Sequence, residues 1–234
     1  VTERLFLGAI EMRRLPGAQR NSSQAKPPGE EAIRGIVKRF EETEADVRRL
    51  LAAAVEGDPD ALLAEALEAV SALRDERFED AVFEAYDTAY EDAADEIEAQ
   101  SRDGLAPDSL AESLDKKLTA ATEEVEARSK KAFPEVTEDN QEELSQEAVT
   151  ALVDEDERNW SLGAYAAMAA LTLGRRATSR GIKAASAGGE LRISIDANSC
   201  PICLPYEGNT YPANSAPEPP FHEHCGHMLE QVPS

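Results

Sequence analysis

The first 199 residues of this 234-residue chain contain neither cysteine nor histidine; all three of each fall between Cys200 and His227. A disulfide framework for the larger part of the chain is thereby excluded, and at this length a core can form without cross-links. Aromatic residues are scarce, at 5 %. Positive charge is scarce too: 24 basic residues face 47 acidic ones, a formal charge of −23, which argues against a general nucleic-acid-binding surface because phosphate contact needs local positive potential. Long apolar runs are missing. The best, Trp160 to Gly174, is fifteen residues rich in Ala and Gly, short of the roughly 18 needed to span a bilayer. The opening "VTERLFLGAI" carries acid and base around a short apolar patch, unlike a secretory signal. Neither an internal repeat nor a glycine-rich phosphate loop is visible. The expectation is a soluble intracellular protein with no membrane contact.

What charge there is divides unevenly. Residues 1–30 carry 5 basic and 3 acidic groups, net +2, and residues 31–157 carry 13 and 38, net −25. Residues 158–189 carry 5 basic groups and no acid, net +5, and residues 190–234 carry 1 and 6, net −5. Only 7 of the 24 cations are lysine, and acidity with so few lysines suits a high-salt, halophilic cytoplasm; the plainer alternative is a solvated helical surface. Equal melting temperatures at low and multimolar KCl would exclude the halophilic reading.

These shifts divide the chain into a 1–30 extended N-terminal arm, a 31–157 acidic helical domain, a 158–189 Ala/Gly-rich basic helix and a 190–234 zinc-knuckle module. In the arm, Leu5, Phe6, Leu7 and Ile10 form either a docking peptide or, the favoured reading, a short helix on the core. From Glu31, Ile33, Ile36, Val37, Phe40, Val47, Leu50, Leu51 and Ala54 recur at three- and four-residue steps, an amphipathic helix ended by Gly57. Asp58 then reads as an N-cap with Pro59 at the first helical position. Asp60 to Gln100 predicts two helices or one long bent one, closed by Gly104 and Pro107. A further helix is expected from about Asp108 to Phe133, stopped by Pro134, and another from about Thr137 into the apolar segment after Trp160. Gly163, Ala166, Ala167, Ala170, Gly174 and Ala177 suit close helix packing. After Gly188-Gly189, "ELRISID" alternates Leu191, Ile193 and Ile195 with polar residues, the one clear strand signal. The fold class expected is mainly α: an elongated helical body followed by a small C-terminal strand-and-loop zinc-binding module.

Cys200 and Cys203 form a C-x2-C knuckle; after eighteen intervening residues come His222, Cys225 and His227. Thiolates and imidazoles at these spacings suit tetrahedral Zn2+, with the fourth ligand open among His222, His224 and His227. Between them lie Pro205, Gly208, Pro212, Pro217, Pro219 and Pro220, a composition from which neither a long helix nor a packed core is expected. A structural metal would supply the missing cross-link. A Cys200–Cys203 redox disulfide and unliganded residues are the competing readings. Catalytic zinc is disfavoured: in "HEHCGH" the residue four after His222 is Gly226, which breaks the zincin pair, and the deaminase order of motifs is absent. No enzyme is expected.

At "LRISIDANSCPICLPYEGNTYP" followed by "PPFHEHCGH", the chain resembles the C-terminal region of the phage Mu F-like minor head proteins, the head morphogenesis proteins of tailed viruses. That family ends in a strand, Cys-x-x-Cys, a glycine turn, a Pro-rich stretch and His-Pro-x-Cys-Arg-Cys. Cys200, Cys203, Gly208, His222 and Cys225 match, while Glu223 replaces Pro, Gly226 replaces Arg and His227 replaces the last Cys. The match covers roughly residues 155–234; residues 1–150 match only as generic helix. The resemblance implies a low-copy virion component at the portal or inner capsid, made in the host cytoplasm, partnered by the portal protein or the major capsid protein and acting in head assembly or DNA delivery, with no established catalysis. Arg158, Arg175, Arg176, Arg180 and Lys183 would then meet acidic partner surfaces or packaged DNA locally, or, the favoured reading, simply neutralise the acidic body. The alternatives are a cellular zinc-ribbon interaction or nucleic-acid-binding module and, further off, a metal-dependent hydrolase using Glu223.

Overall fold

The computed structural model describes residues 30–74, 78–94, 108–153, 159–186, 188–195, 199–222 and 225–232. The expectations for residues 1–29, for the helix closure at Gly104 and Pro107, and for Arg158, Glu223 and His224 lie outside these residues.

The protein is mainly helical, as its sequence suggests. Helix α1 (Glu30–Ala53) buries Ile33, Ile36, Phe40, Val47, Leu50 and Leu51, the stripe its periodicity marks. It stops where the Gly57 N–H turns back to the Ala53 carbonyl. Helix α2 (Pro59–Arg74) starts as expected: the Asp58 carboxylate accepts from the Asp60 and Ala61 N–H groups at 3.1 and 3.4 Å. Helix α3 (Glu79–Ala94) is separate from it, so the stretch from Asp60 is two helices. Helix α4 (Asp108–Ala132) ends in a short 3-10 turn, Phe133–Glu135, that holds Pro134.

One expectation fails here. No continuous helix runs from Thr137 through Trp160: α5 (Gln141–Ala148) is eight residues long, and an antiparallel pair follows, β1 (Thr150–Val153) and β2 (Asn159–Ser161). Val149, with φ −100 and ψ 5, leaves the helical region, and the β-branched run Val149-Thr150 then favours an extended chain.

Helix α6 (Leu162–Ala185) packs against α1, α3 and α4. It buries 14 of its 24 residues, which leaves little room for a solvated face and makes it the central helix. Its small residues permit the approach: a Cβ on Gly174 would lie 2.8 Å from Ile33 Cγ1, and one on Gly181 only 2.5 Å from the Tyr86 carbonyl oxygen. Its start is capped twice, by Ser161 Oγ accepting from the Ala164 N–H and by Glu44 Oε2 of α1 accepting from the Gly163 N–H at 2.8 Å.

A three-stranded antiparallel sheet of order β4-β3-β5 follows, from β3 (Glu190–Ile193), β4 (Thr210–Pro212) and β5 (Leu229–Gln231). Leu191 and Ile193 point inward as expected, but Ile195 lies past the strand and is 70 % exposed. Contrary to the expectation from the prolines, a small core does form. Ala213, Ala216 and Leu229 close on Leu191 and Ile193, with Ile182 of α6 and Phe221 packed alongside. Alanine is small enough to fit under a proline-rich loop, and α6 supplies the wall that the segment lacks.

Candidate metal centre

The sheet brings the two Cys/His segments to one place. Ile193 at the end of β3 pairs with Leu229 at the start of β5, so the chain leaving β3 toward Ser199 lies beside the chain arriving from His227. Ser194 fastens this edge: its N–H donates to the Met228 carbonyl, and its Oγ accepts from the Met228 N–H, both at 2.9 Å. Gly208, with φ +71, turns the first loop back so that its N–H meets the Ile193 carbonyl at 2.9 Å.

Each segment then makes a tight turn. In the first, the Cys203 and Leu204 N–H groups both donate to the Cys200 carbonyl at 3.0 Å. In the second, the Cys225 N–H donates to the His222 carbonyl at 3.3 Å. Each turn therefore presents two side chains, three residues apart, on the same side.

The five sequence-marked candidates come together as two triads that share Cys203: Cys200, Cys203 and His222, and Cys203, Cys225 and His227. Sulfur–sulfur separations are 3.7 Å for Cys200–Cys203 and 3.6 Å for Cys203–Cys225. The edge of an S-ligated zinc tetrahedron is about 3.8 Å, from metal–sulfur bonds near 2.3 Å. His222 Nε2 lies 3.1 Å from Cys200 Sγ and 3.0 Å from Cys203 Sγ. His227 Nδ1 lies 3.5 Å from Cys225 Sγ, and its Nε2 is 3.1 Å from Ser199 Oγ. The cysteines are free thiols, Cys200 half-buried and Cys203 and Cys225 buried, so a group of soft donors stands at coordination distances and could hold a metal ion.

The electrostatics of these donors suit a cation. Burial, followed by the neighbouring Cys225 and Cys200 sulfurs, pushes the Cys203 thiol up to about 12. Burial also acts upward on Cys200, but the Cys203 and Ile202 N–H groups, the Cys203 thiol and the His222 ring outweigh it and hold that thiol below its ordinary value. Thiolates crowded this closely repel one another unless positive charge sits between them.

The cations of α6 are engaged here. Arg175 donates to the Cys225 carbonyl and Arg176 to the Pro220 carbonyl, both at 2.9 Å. Lys183 donates to the Ala216 carbonyl at 2.9 Å and to Glu218 at 3.3 Å, and Arg180 reaches Glu218 at 3.1 Å and Ser109 of α4 at 3.3 Å. Burial raises the Glu218 carboxyl, yet Arg180 and Lys183 bring it below the ordinary carboxylate range. These four side chains thus fasten the module to α6, a role different from neutralising the acidic body. Sequence reasoning singled out the cations but missed Ser199, Glu218 and the acceptors. A usable signal was present: prolines give a loop no N–H to pair its own carbonyls, so a proline-rich loop needs donors from elsewhere, and the neighbouring helix carries four cations and no acid.

Outside this module, a cleft of about 410 Å³ between α4 and β1 is lined by Ala120, Glu124, Arg128, Leu152, Val153 and Tyr165 among others; Arg128 and Glu124, one turn apart on α4, pair along its wall at 2.7 Å. Among the described residues no helix is long and apolar enough to cross a membrane. The chain matches no family model, no curated protein and no solved structure.

Proposed function

We propose that this chain is a structural component of a tailed-virus head, a minor capsid or head morphogenesis protein at the portal or inner capsid, and that Zn2+ holds its C-terminal module together. The observation that carries this reading is the gathering of Cys200, Cys203, His222, Cys225 and His227 into two triads that share Cys203, in an order and spacing that resemble that family, with the Cys200 and Cys225 sulfurs 3.7 and 3.6 Å from that of Cys203. Thiolate and imidazole donors favour zinc over the hard cations, and a donor set filled by protein alone belongs to a structural rather than a catalytic ion.

The engagement of Arg175, Arg176, Arg180 and Lys183 within the fold disfavours the nucleic-acid-binding alternative, which needs those cations at a phosphate backbone. Around its first turn the module exposes large apolar side chains: Ile195, Ile202 and Leu204 are 70, 57 and 58 % exposed, and Tyr206 stacks on Phe221 at 4.5 Å. With the body at net −25, a second copy is a poor occupant, and a capsid subunit is the partner that this reading places against the patch.

Quantitative mass spectrometry of purified virus particles, counting this chain against the major capsid protein, tests the proposal. A reproducible low copy number per particle is expected, and Ile202→Glu with Leu204→Glu should reduce incorporation. Absence from both mature particles and assembly intermediates would overturn it.

A further inference from the structure

The candidate donors fall into two sets that overlap only at the Cys203 sulfur. Cys200, Cys203 and His222 lie within 4.8 Å of one another, as do Cys203, Cys225 and His227, and among the described residues no fourth His, Cys or carboxylate is that close to every member of either set. Donors around one zinc tetrahedron stand about 3.5–3.8 Å apart, so an ion seated in one set leaves two donors of the other outside its shell. The two sets are built alike. Each takes a pair of donors from one segment, Cys200 with Cys203 or Cys225 with His227, and closes with one donor from the other segment, His222 or Cys203. The spacing repeats as well: Cys203 Sγ is 3.7 Å from Cys200 Sγ and 3.6 Å from Cys225 Sγ. On one side His222 Nε2 lies 3.0 Å from the Cys203 sulfur, and on the other His227 Nδ1 lies 3.5 Å from that of Cys225. A thiolate sulfur has lone pairs enough to hold two cations at once.

We infer that the module binds two metal ions bridged by the Cys203 thiolate, an outer ion held with Cys200 and His222 and an inner ion held with Cys225 and His227. The inference rests on the zinc reading above and adds a second ion to it. Each ion ties the first Cys/His segment to the second, and both ties pass through Cys203. The two positions differ in access. Cys200 and His222 are half-buried, so the outer ion meets solvent, whereas Cys203, Cys225 and His227 are at most 2 % exposed and close over the inner one. The rival arrangement is one ion in one set, with the remaining cysteine kept as a thiol.

Co2+ titration of the reduced, metal-free full chain counts the sites, because the thiolate-to-cobalt charge-transfer band registers sulfur-bound metal and ignores ions on surface carboxylates. In wild type the band should rise until two equivalents are bound. Two high-spin Co2+ ions that share a thiolate couple their spins, so the paramagnetic resonance signal per ion should fall between the first equivalent and the second. His222→Ala should lower the capacity to one equivalent, and so should His227→Ala, since each removes a donor from a different set. Release to a chelator then tells the sites apart: it should be fast from His227→Ala, which keeps the outer ion, and slower from His222→Ala, which keeps the inner one. Saturation of wild type at one equivalent, or loss of all uptake in either histidine variant, would overturn the two-ion assignment while leaving a metal protein. No sulfur-bound uptake by wild type would sink the zinc reading with it.

Discussion

The helical body and the C-terminal module reach stability from very different amounts of apolar side chain. In the body one continuous core runs from Ile33 to Ala177 and includes Phe40, Phe78 and Phe133, with Phe40 and Phe78 at 5.6 Å. In the module the buried set is Leu191, Ile193, Ala213, Ala216 and Leu229. Three large side chains bury too little apolar surface to order a segment of this length by themselves. The body can fold on hydrophobic burial, whereas the module depends on discrete bonds: two hydrogen-bonded turns, a cluster of soft ligands and four cations reaching in from α6. The comparison teaches where to look for fragility. Damage to the body should be graded with volume, and damage to the module should be nearly all-or-none.

The sharpest way to break the comparison is to withdraw the proposed metal. Structural zinc contributes on the order of 10–16 kcal/mol to small domains, so a strong chelator should abolish amide-exchange protection across residues 190–232 while far-UV circular dichroism keeps the helical signal. Loss of both together would show that the two regions fold as one. Because Cys203 must give up its proton to bind, with its thiol pushed up to about 12, metal affinity should climb with pH and binding should release protons, which calorimetry in buffers of different ionisation enthalpy measures.

A smaller effect is expected from crowding the body. Gly181→Ala puts a Cβ against the Tyr86 carbonyl and within 3.0 Å of the Tyr90 N–H, backbone atoms that cannot swing aside. A loss of about 1–3 kcal/mol should follow, seen as a lower melting temperature of the helical signal with metal binding retained.

The seam between the regions comes next. Arg175→Ala leaves the Cys225 carbonyl without its donor, and a cost of about 1–3 kcal/mol should appear as faster exchange in the module alone. Acid should act on the same seam through Glu218. Its carboxyl is depressed in the fold, so its contribution is fully present above the unfolded value of 4.5 and is lost as the pH falls through the lower folded value. Glu218→Gln should remove that part of the acid dependence. The smallest expected change is Asp58→Ala, which removes a helix cap for about 1 kcal/mol and should be felt only in the body's melting temperature.

The legible parts of the sequence are those in which a local signal decides the outcome. Helices α1 to α4 follow their apolar spacing, and Gly57, Asp58-Pro59 and Pro134 punctuate them because backbone sterics act within a few residues. The clustering of Cys200, Cys203, His222, Cys225 and His227 was legible for the same reason, since ligand chemistry narrows the choice of residue so strongly. What failed depends on distant partners. The start of α6 is fixed partly by Glu44, 119 residues earlier, and no reading of the stretch after Thr137 contains that carboxylate. Strands β4 and β5 are three residues each, too short for a period of two to register, and exist because β3 pairs with both. Ile195 continues the alternation of β3 in the sequence but not in space, since the chain has by then turned toward the first knuckle.

The grip of α6 on the module also bears on how such a segment can spread between proteins. A Cys/His tail looks portable: cut after Gly188-Gly189, join it to another chain, and the candidate ligands travel with it. Here the acceptors travel and the donors stay behind. Arg175, Arg176, Arg180 and Lys183 lie upstream of any such junction, as does Ile182, which packs against Leu191 and its neighbours. The smallest piece that could be exchanged intact begins no later than the middle of α6, and recombination nearer the glycines would deliver a tail without its floor.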